Sequence, residues 1–388
     1  MTTVQASDLD IDRAGVDAFV PLAAELGARI APYSVQHDRD GTFVEEAFTI
    51  LRDEGYLALA VPTELGGMGA TIGQVAAAQA EMAKHCASTA LAVTMHLHIT
   101  LFATWRYHHD MPGADAMLRR VVDDRIILVS TGGSDFTRPN GTAAKVDGGY
   151  LVNGRKIFCS QVPVGDVFST LFTYEDDDEG RRVLAMGIPV ASEGVEVLDT
   201  WDSMGMRGTG SHDVQMTDVF VSDAQVMSNR PWGVIDPPLM VIALHAMPPV
   251  AAVYLGVAEG ARDRALERLR DSAKALDPIV QRTVGLLDYK TKVARWSLFT
   301  AIAEAGDDPE PSMENFVRAM QAKRVVAEES VSACDLALQA VGGAGYYRNA
   351  GFEQAVRDVR GVQFHPLTPE LTLAHAGKVA LGQPAEEM

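Results

Sequence analysis

Ten histidines occur in this 388-residue chain, and His96, His98, His245 and His365 are the candidates among them for proton chemistry. An imidazole titrates close to neutral pH, so it can take up or hold a proton where a reaction needs one. A single histidine is, however, more often a satisfied core residue than a catalyst. Two glycine-bearing strings offer different chemistry. Gly133-Ser134-Asp135 can present backbone amides and a hydroxyl to a ligand, although three such residues alone also describe an ordinary turn. Gln339-Ala340-Val341-Gly342-Gly343-Ala344-Gly345-Tyr346 is longer, and its bare backbone would let amides approach a phosphate. Cys86, Cys159 and Cys334 are widely spaced with no CxxC pair, so neither a disulfide framework nor a zinc site follows. The acidic run Glu175 to Glu179 ahead of Gly180 reads as a solvated hairpin tip rather than a metal site.

Composition narrows the partners. A formal net charge of -19 argues against nucleic acid and against an electrostatic membrane anchor. Any phosphate must then be held by local amides and a few Lys or Arg. No apolar run reaches membrane-spanning length and no basic-then-apolar leader opens the chain, so a cytoplasmic location is expected. There is no internal repeat and no low-complexity tract.

These residues need elements to position them. Thr42 with Glu45 predicts a capping box, Phe43, Ala47, Ile50 and Leu51 recur at helical spacing, and Gly55 can close that helix. Thr71 with Gln74 predicts a second capping box on an Ala-rich helix to about His85, and Ser88 a cap for a third helix to about Tyr107. Near Asp123 the period changes to two. Strands are expected at Ile126–Val129, Val167–Tyr174, Val183–Ile188, Val195–Leu198 and Asp213–Val221, with a hairpin turning at Asn153-Gly154. Strands without intervening helices point to an antiparallel barrel or sandwich. After Pro231, Pro237 and Pro238 the helical period returns, with three or four long helices between Leu239 and Val341 and turns at 275–278 and 306–311. The class is α+β: a helical domain at 1–122, a β domain at 123–228 and a helical bundle at 229–388.

Several motifs in this order resemble the acyl-CoA dehydrogenase family. They are Val61-Pro62-Thr63-Glu64-Leu65-Gly66-Gly67-Met68-Gly69, Gly133-Ser134-Asp135, Lys156 to Gln161, Gly205 to Ser211, and Gln339 to Tyr346 followed by Arg357-Asp358-Val359-Arg360. The resemblance runs from about Phe43 to Gly382. It implies FAD, with FMN or a reductase-supplied reduced flavin as the alternative, and a homotetramer. Phe158 would flank the flavin ring and Ser160 would bond its N5 edge. Ser130 and Thr131 stand where further ring contacts arise, although the family's longer Thr-Glu-Pro stretch is shortened here. Gln339, Gly342 and Gly343 would meet the adenosine diphosphate end of FAD from a neighbouring subunit. Thr368 is assigned to the cofactor as well, and His96 and Ser134 to the substrate. Arg207 could contact a phosphate or brace its loop.

The resemblance breaks at the base. Many family members carry a Glu that removes the substrate α-proton, and Pro366 falls at that position. Other members place the base on the first helix of the C-terminal domain, where this chain has Ala243 to Pro248 and no carboxylate. His365, Glu370 or His245 would have to serve instead. Dehydrogenation of an acyl thioester, with hydride passing to flavin N5 and electrons going on to a transfer partner, is the first reading. The alternative is a monooxygenase of the dibenzothiophene type, fed by a flavin reductase, in which His365 and Ser160 attend the reacting oxygen. A non-catalytic flavin-binding paralogue is the third.

Overall fold

The computed structural model describes residues 13–131, 135 and 137–387. Six helices come first: α1 (Arg13–Val16), α2 (Val20–Asp40), α3 (Glu45–Asp53), α4 (Ile72–His85), α5 (Ala87–His108) and α6 (Ala114–Asp123). Eight strands follow: β1 (Leu128–Ser130), β2 (Thr142–Val146), β3 (Gly149–Lys156), β4 (Val167–Asp176), β5 (Gly180–Pro189), β6 (Val195–Val197), β7 (Val214–Ser222) and β8 (Val226–Pro231). The chain ends in α7 (Pro237–Arg270), α8 (Pro278–Ala305), α9 (Met313–Val341), α10 (Phe352–Asp358) and α11 (Pro369–Ala380).

Helical periodicity was a good guide to α4, which has the expected Thr71–Gln74 capping box. Two other caps differ. Helix α3 starts after Val44 with no side-chain cap, because the Thr42 hydroxyl pairs with His37 at 2.7 Å instead. Helix α5 starts after Cys86, and the Ser88 hydroxyl accepts from the Gly208 amide at 3.2 Å, joining the helix to the β domain. Helices α5 and α7 are each long and apolar enough to cross a membrane by length and composition, contrary to the expectation above. They are core helices here, with 83% and 94% of their apolar windows buried. Asp236 caps α7, with Pro237 in its first turn where a missing amide costs nothing. One apolar core joins α2, α4, α5, α7, α8 and α9, running through Leu26, Phe48, Val75, Leu97, Tyr254 and Leu298.

The sheet has the order β6-β7-β3-β2-β4-β5-β8, with β1 also pairing β4. Most pairings are antiparallel, but β1 and β2 both run parallel to β4. The expected turn at Asn153-Gly154 is a bulge inside β3. Register shifts there, and Asn153 exchanges hydrogen bonds with Asp218 on β7. A Cβ on Gly154 would stand 2.6 Å from the Gly141 Cα, so glycine is required by close approach rather than by a turn. The chain reverses at Asp147-Gly148, a dipeptide with the same turn preference. The acidic run does form the tip between β4 and β5. Strands β2 and β8 carry weak period-two patterns and had no sequence expectation.

Candidate active site

The floor of the site is a hydrogen-bonded line between α5, β1 and the loop after β3. His96 is fully buried, its Nε2 2.8 Å from the Leu57 carbonyl and its Nδ1 accepting the Leu128 amide at 3.0 Å. The amide fixes Nδ1 as the acceptor, so Nε2 carries the proton. Burial pushes its pKa down to about 4, against the pull of Leu57. The Leu128 carbonyl in turn accepts from Gln161 Nε2 at 2.8 Å. With both ring nitrogens used by the fold, His96 has none left for a substrate, which corrects that assignment. His98 is also buried, makes no hydrogen bond to another side chain among the described residues, and is pushed down to about 4 by burial and by His96 and His245.

The loop Phe158 to Gln161 departs from ordinary backbone. Phe158 and Gln161 both have left-handed φ, 56° and 58°. Such conformations in non-glycine residues cost of order 1–3 kcal/mol each and concentrate at functional sites. The result turns the Phe158 ring outward, 51% exposed, edge-on to Trp201 with ring centroids 6.0 Å apart. Ser160 is buried and heads a hydroxyl relay, 2.8 Å from Ser211 Oγ, which lies 2.7 Å from Thr209 Oγ1. Gln161 anchors the loop through its amide to the Thr209 carbonyl, yet its Oε1 is buried with no partner among the described residues. Thr131 donates its hydroxyl to Thr170 at 2.7 Å, which leaves half-buried Ser130 as the more open of that pair. Ser134 lies outside the described residues. Asp135 forms a buried ion pair with Lys156 at 2.6 Å, tying the end of that loop to β3.

The third part is the segment after α10. His365 Nε2 lies 2.7 Å from the Tyr254 hydroxyl on α7. Lys323, a buried amine in the apolar stripe of α9, donates to the His365 and Leu367 carbonyls at 2.6 Å each. Burial lowers the Lys323 pKa to about 8. Burial, then Lys323 and His98, lowers that of His365 to about 3. Glu370 is 89% exposed on the first turn of α11, its nearest cation Arg324 at 4.0 Å, so it does not share this enclosure. His245 spends Nδ1 on its own helix, at 2.7 Å from the Val241 carbonyl, with its ring edge-on to Trp105. Burial takes it down to about 4. Of the three base candidates, only His365 meets side chains from two other helices.

Arg207 braces its loop. Its Nε donates to the Asp38 carbonyl at 2.7 Å and its Nη1 to the Ser203 carbonyl at 3.3 Å, the bracing alternative of the two. The Met206 amide beside it donates to the buried carboxylate of Asp358 at 2.5 Å. A Cβ on Gly205 would meet the Arg357 carbonyl at 2.4 Å. The Gln339 to Tyr346 string reaches the surface, with Ala340, Val341 and Gly345 buried. Gln339 is exposed, a Cβ on Gly343 would have nothing within 4 Å, and Tyr346 is 82% exposed. Thr368 is exposed at the start of α11 and its side chain caps nothing.

Tyr254, Lys323 and Gln161 were not singled out from sequence. Lys323 had a signal: Phe316, Met320, Lys323, Ala327 and Ser330 fall on one helical stripe, and a charge inside such a stripe needs a purpose. Tyr254 had only its hydroxyl within the apolar run Val250 to Leu255. Taken together, an outward aromatic ring, a buried serine hydroxyl and an amide oxygen left unpaired by the chain suit an isoalloxazine ring. Phe158, Ser160 and Gln161 are the residues that would hold it.

Models of the acyl-CoA dehydrogenase N-terminal, middle and C-terminal domains match residues 22–108, 130–219 and 244–366. The chain belongs to the acyl-CoA dehydrogenase family and is a flavoenzyme of that fold. Among its relatives, the amino sugar nitrososynthase DnmZ of Streptomyces peucetius is 30% identical over 368 residues, covering 90% of this chain and 89% of the relative. The putative acyl-CoA dehydrogenase YdbM of Bacillus subtilis (strain 168) is 30% identical over 350 residues, covering 86% and 88%. The solved structure of KijD3 in complex with FMN and dTDP-3-amino-2,3,6-trideoxy-4-keto-3-methyl-D-glucose superposes with a TM-score of 0.87 at 26% identity, covering 96% of this chain and 95% of that one.

Proposed function

We propose that this protein is a flavin-dependent monooxygenase that hydroxylates the amine nitrogen of a small, sugar-like substrate, with reduced flavin supplied by a separate reductase. One observation carries the reading. Where a dehydrogenase of this family keeps its carboxylate there is Pro366, and the groups that bear on the neighbouring His365 are Lys323 and His98, with no acid among them. An imidazole lowered to about 3 is a poor base at neutral pH. The nitrososynthase relatives and the amino-sugar complex of KijD3 support an amine as the reacting group.

Reduced flavin, when bound, supplies the two electrons that let O2 place one oxygen atom on the substrate while the other leaves as water. The chain's own residues set the stage for that chemistry. Phe158 and Ser160 would hold the ring, with Ser211 and Thr209 behind Ser160 orienting its hydroxyl. His365 holds a proton beside the reacting oxygen, and the buried side chains of α5 and α7 exclude water. Gln339, Gly342 and Gly343 are left for the diphosphate of FAD presented across a homotetramer interface.

Dehydrogenation of an acyl thioester is the second reading, favoured by the identity to YdbM. Oxygen uptake and product formation with reduced FMN or FAD and a panel of nucleotide-linked amino sugars should show turnover. Anaerobic titration of the oxidised holoenzyme with acyl-CoA thioesters should leave the flavin absorbance unchanged. Bleaching by a thioester, with no product from any amine, would overturn the monooxygenase reading.

A further inference from the structure

The partner of His365 decides what that histidine can do. Its Nε2 is 2.7 Å from the Tyr254 hydroxyl, and its Nδ1 has no partner among the described residues. Two arrangements satisfy that distance. If His365 donated from Nε2, the hydroxyl proton of Tyr254 would be left over inside the core, because Tyr254 is fully buried and makes no other side-chain hydrogen bond among the described residues. Nδ1, on a half-buried ring, would then be a bare acceptor, and the Tyr254 proton the buried group left unsatisfied. If Tyr254 donates to Nε2, its proton is used and the imidazole proton sits on Nδ1. The donor then left is on the half-buried imidazole and not on the fully buried phenol. Unpaired buried donors are costly, so the second arrangement prevails.

We infer that Tyr254 is a positioning residue that locks His365 as the neutral Nδ1–H tautomer, so that this histidine presents a hydrogen-bond donor, not a base, to the reacting oxygen. The inference deepens the monooxygenase reading and rests on it for the identity of that oxygen. The surroundings agree from each packed element. Tyr254 on α7 is held in its protonated form by burial, which raises its pKa. Lys323 on α9 holds the His365 and Leu367 carbonyls, fixing the loop without occupying the ring. His98 on α5 is a second buried imidazole, and Lys323 and His98 both disfavour a positive charge on His365. A Cβ on Gly361 would stand 2.7 Å from the Tyr254 hydroxyl, so the loop approaches that oxygen closely on two sides. A general base would need Nδ1 bare. A donor needs it protonated through the cycle, and a phenol at Nε2 achieves this without charge.

The test has two arms. In flavin-free protein labelled with 15N-histidine, solid-state NMR should show His365, identified by its loss in His365→Asn, as protonated on Nδ1 and bare on Nε2. Tyr254→Phe should abolish that preference. In the second arm, product and hydrogen peroxide are measured over a pH series with reduced FMN and the best amine substrate. Tyr254→Phe should lower the product-to-peroxide ratio roughly tenfold, the size of one lost hydrogen bond. Asparagine places an amide N–H near the Nδ1 position and glutamine near Nε2. His365→Asn should therefore retain most coupling, and His365→Gln should lose it along with His365→Ala. Should Tyr254→Phe fail to fold, the wild-type tautomer and the Asn–Gln contrast still decide the matter. A wild-type ring protonated on Nε2, or an Asn variant as uncoupled as Ala, overturns the inference. The tautomer is read without flavin or substrate, so an Nδ1–H ring in a protein that hydroxylates no amine would count against the monooxygenase reading alone.

Discussion

His96 is fully buried and His365 half-buried, both are lowered well below the ordinary imidazole pKa, and they differ in what remains free. His96 sits between Leu57 and Leu128 with two backbone partners. His365 has one side-chain partner and an open Nδ1. Burial and a shifted pKa therefore do not mark a catalytic histidine in this protein. The count of unused hydrogen-bonding atoms is what separates the two rings. The elements explain the contrast. His96 is clamped on a core helix between two main-chain segments, whereas His365 lies on a loop held from behind by the Lys323 amine.

The comparison can be broken in four ways. Replacing His96 with Ala should have the largest effect on the fold, because a cavity forms and the Leu57 carbonyl and Leu128 amide lose their partner. A loss of about 3–5 kcal/mol is expected in chemical denaturation. A His96→Ala protein of wild-type stability would dissolve the distinction. His365→Ala should do the reverse: product formation falls on the order of 100-fold while oxygen is still consumed, with a melting temperature close to wild type. A large stability loss with unchanged coupling would make His365 a structural residue.

The third test uses pH. Both imidazoles have folded pKa values depressed by burial, to about 4 and about 3. The unfolded chain then binds more protons, so stability is full above the ordinary histidine pKa of about 6.5 and is lost as pH falls. Melting temperature should drop between about pH 6.5 and pH 4, and His365→Ala should flatten part of that drop. A wild-type curve that is flat over this range would mean that folding does not shift the titration of the rings. The smallest effect is expected away from both histidines. Gly343→Val has open space around its Cβ, so circular dichroism and FMN affinity should be unchanged while FAD affinity falls. Equal FAD affinity in the variant would free the 339–346 string from any cofactor role.

Much of the architecture was legible because it rests on local periodicity. The helix–strand–helix order, the turns near Asp277 and Asp308, and the acidic tip at Asp176 follow from residues close in sequence. The motif order was legible as well, and it gave the family. What failed were features set by distant partners. Asn153-Gly154 has the composition of a turn, but Asp218 and Gly141 make it a bulge. Thr42 and Ser88 have the composition of caps, but His37 and Gly208 claim their hydroxyls. Within the site, His365 and Ser160 could be singled out by type and place. Tyr254 lies 111 residues from its partner His365, and no local pattern marks that contact.

The joint between Asp358 and the Met206 amide has a consequence for the way the molecule responds to acid and alkali. Burial raises that carboxyl to about 7, with the amide pulling the other way. Around neutrality the population is therefore a mixture, some molecules carrying a proton between the sheet and the last helices and some not. For a carboxyl raised in this way the folded state holds its proton longer than the unfolded chain does. Its contribution is complete below the ordinary carboxylate range and wanes as pH rises through 7. Alkali thus lowers the stability of the fold through the buried charge at Asp358, over a range in which the folded histidines stay neutral. The two halves of the pH scale act on separate parts of one chain.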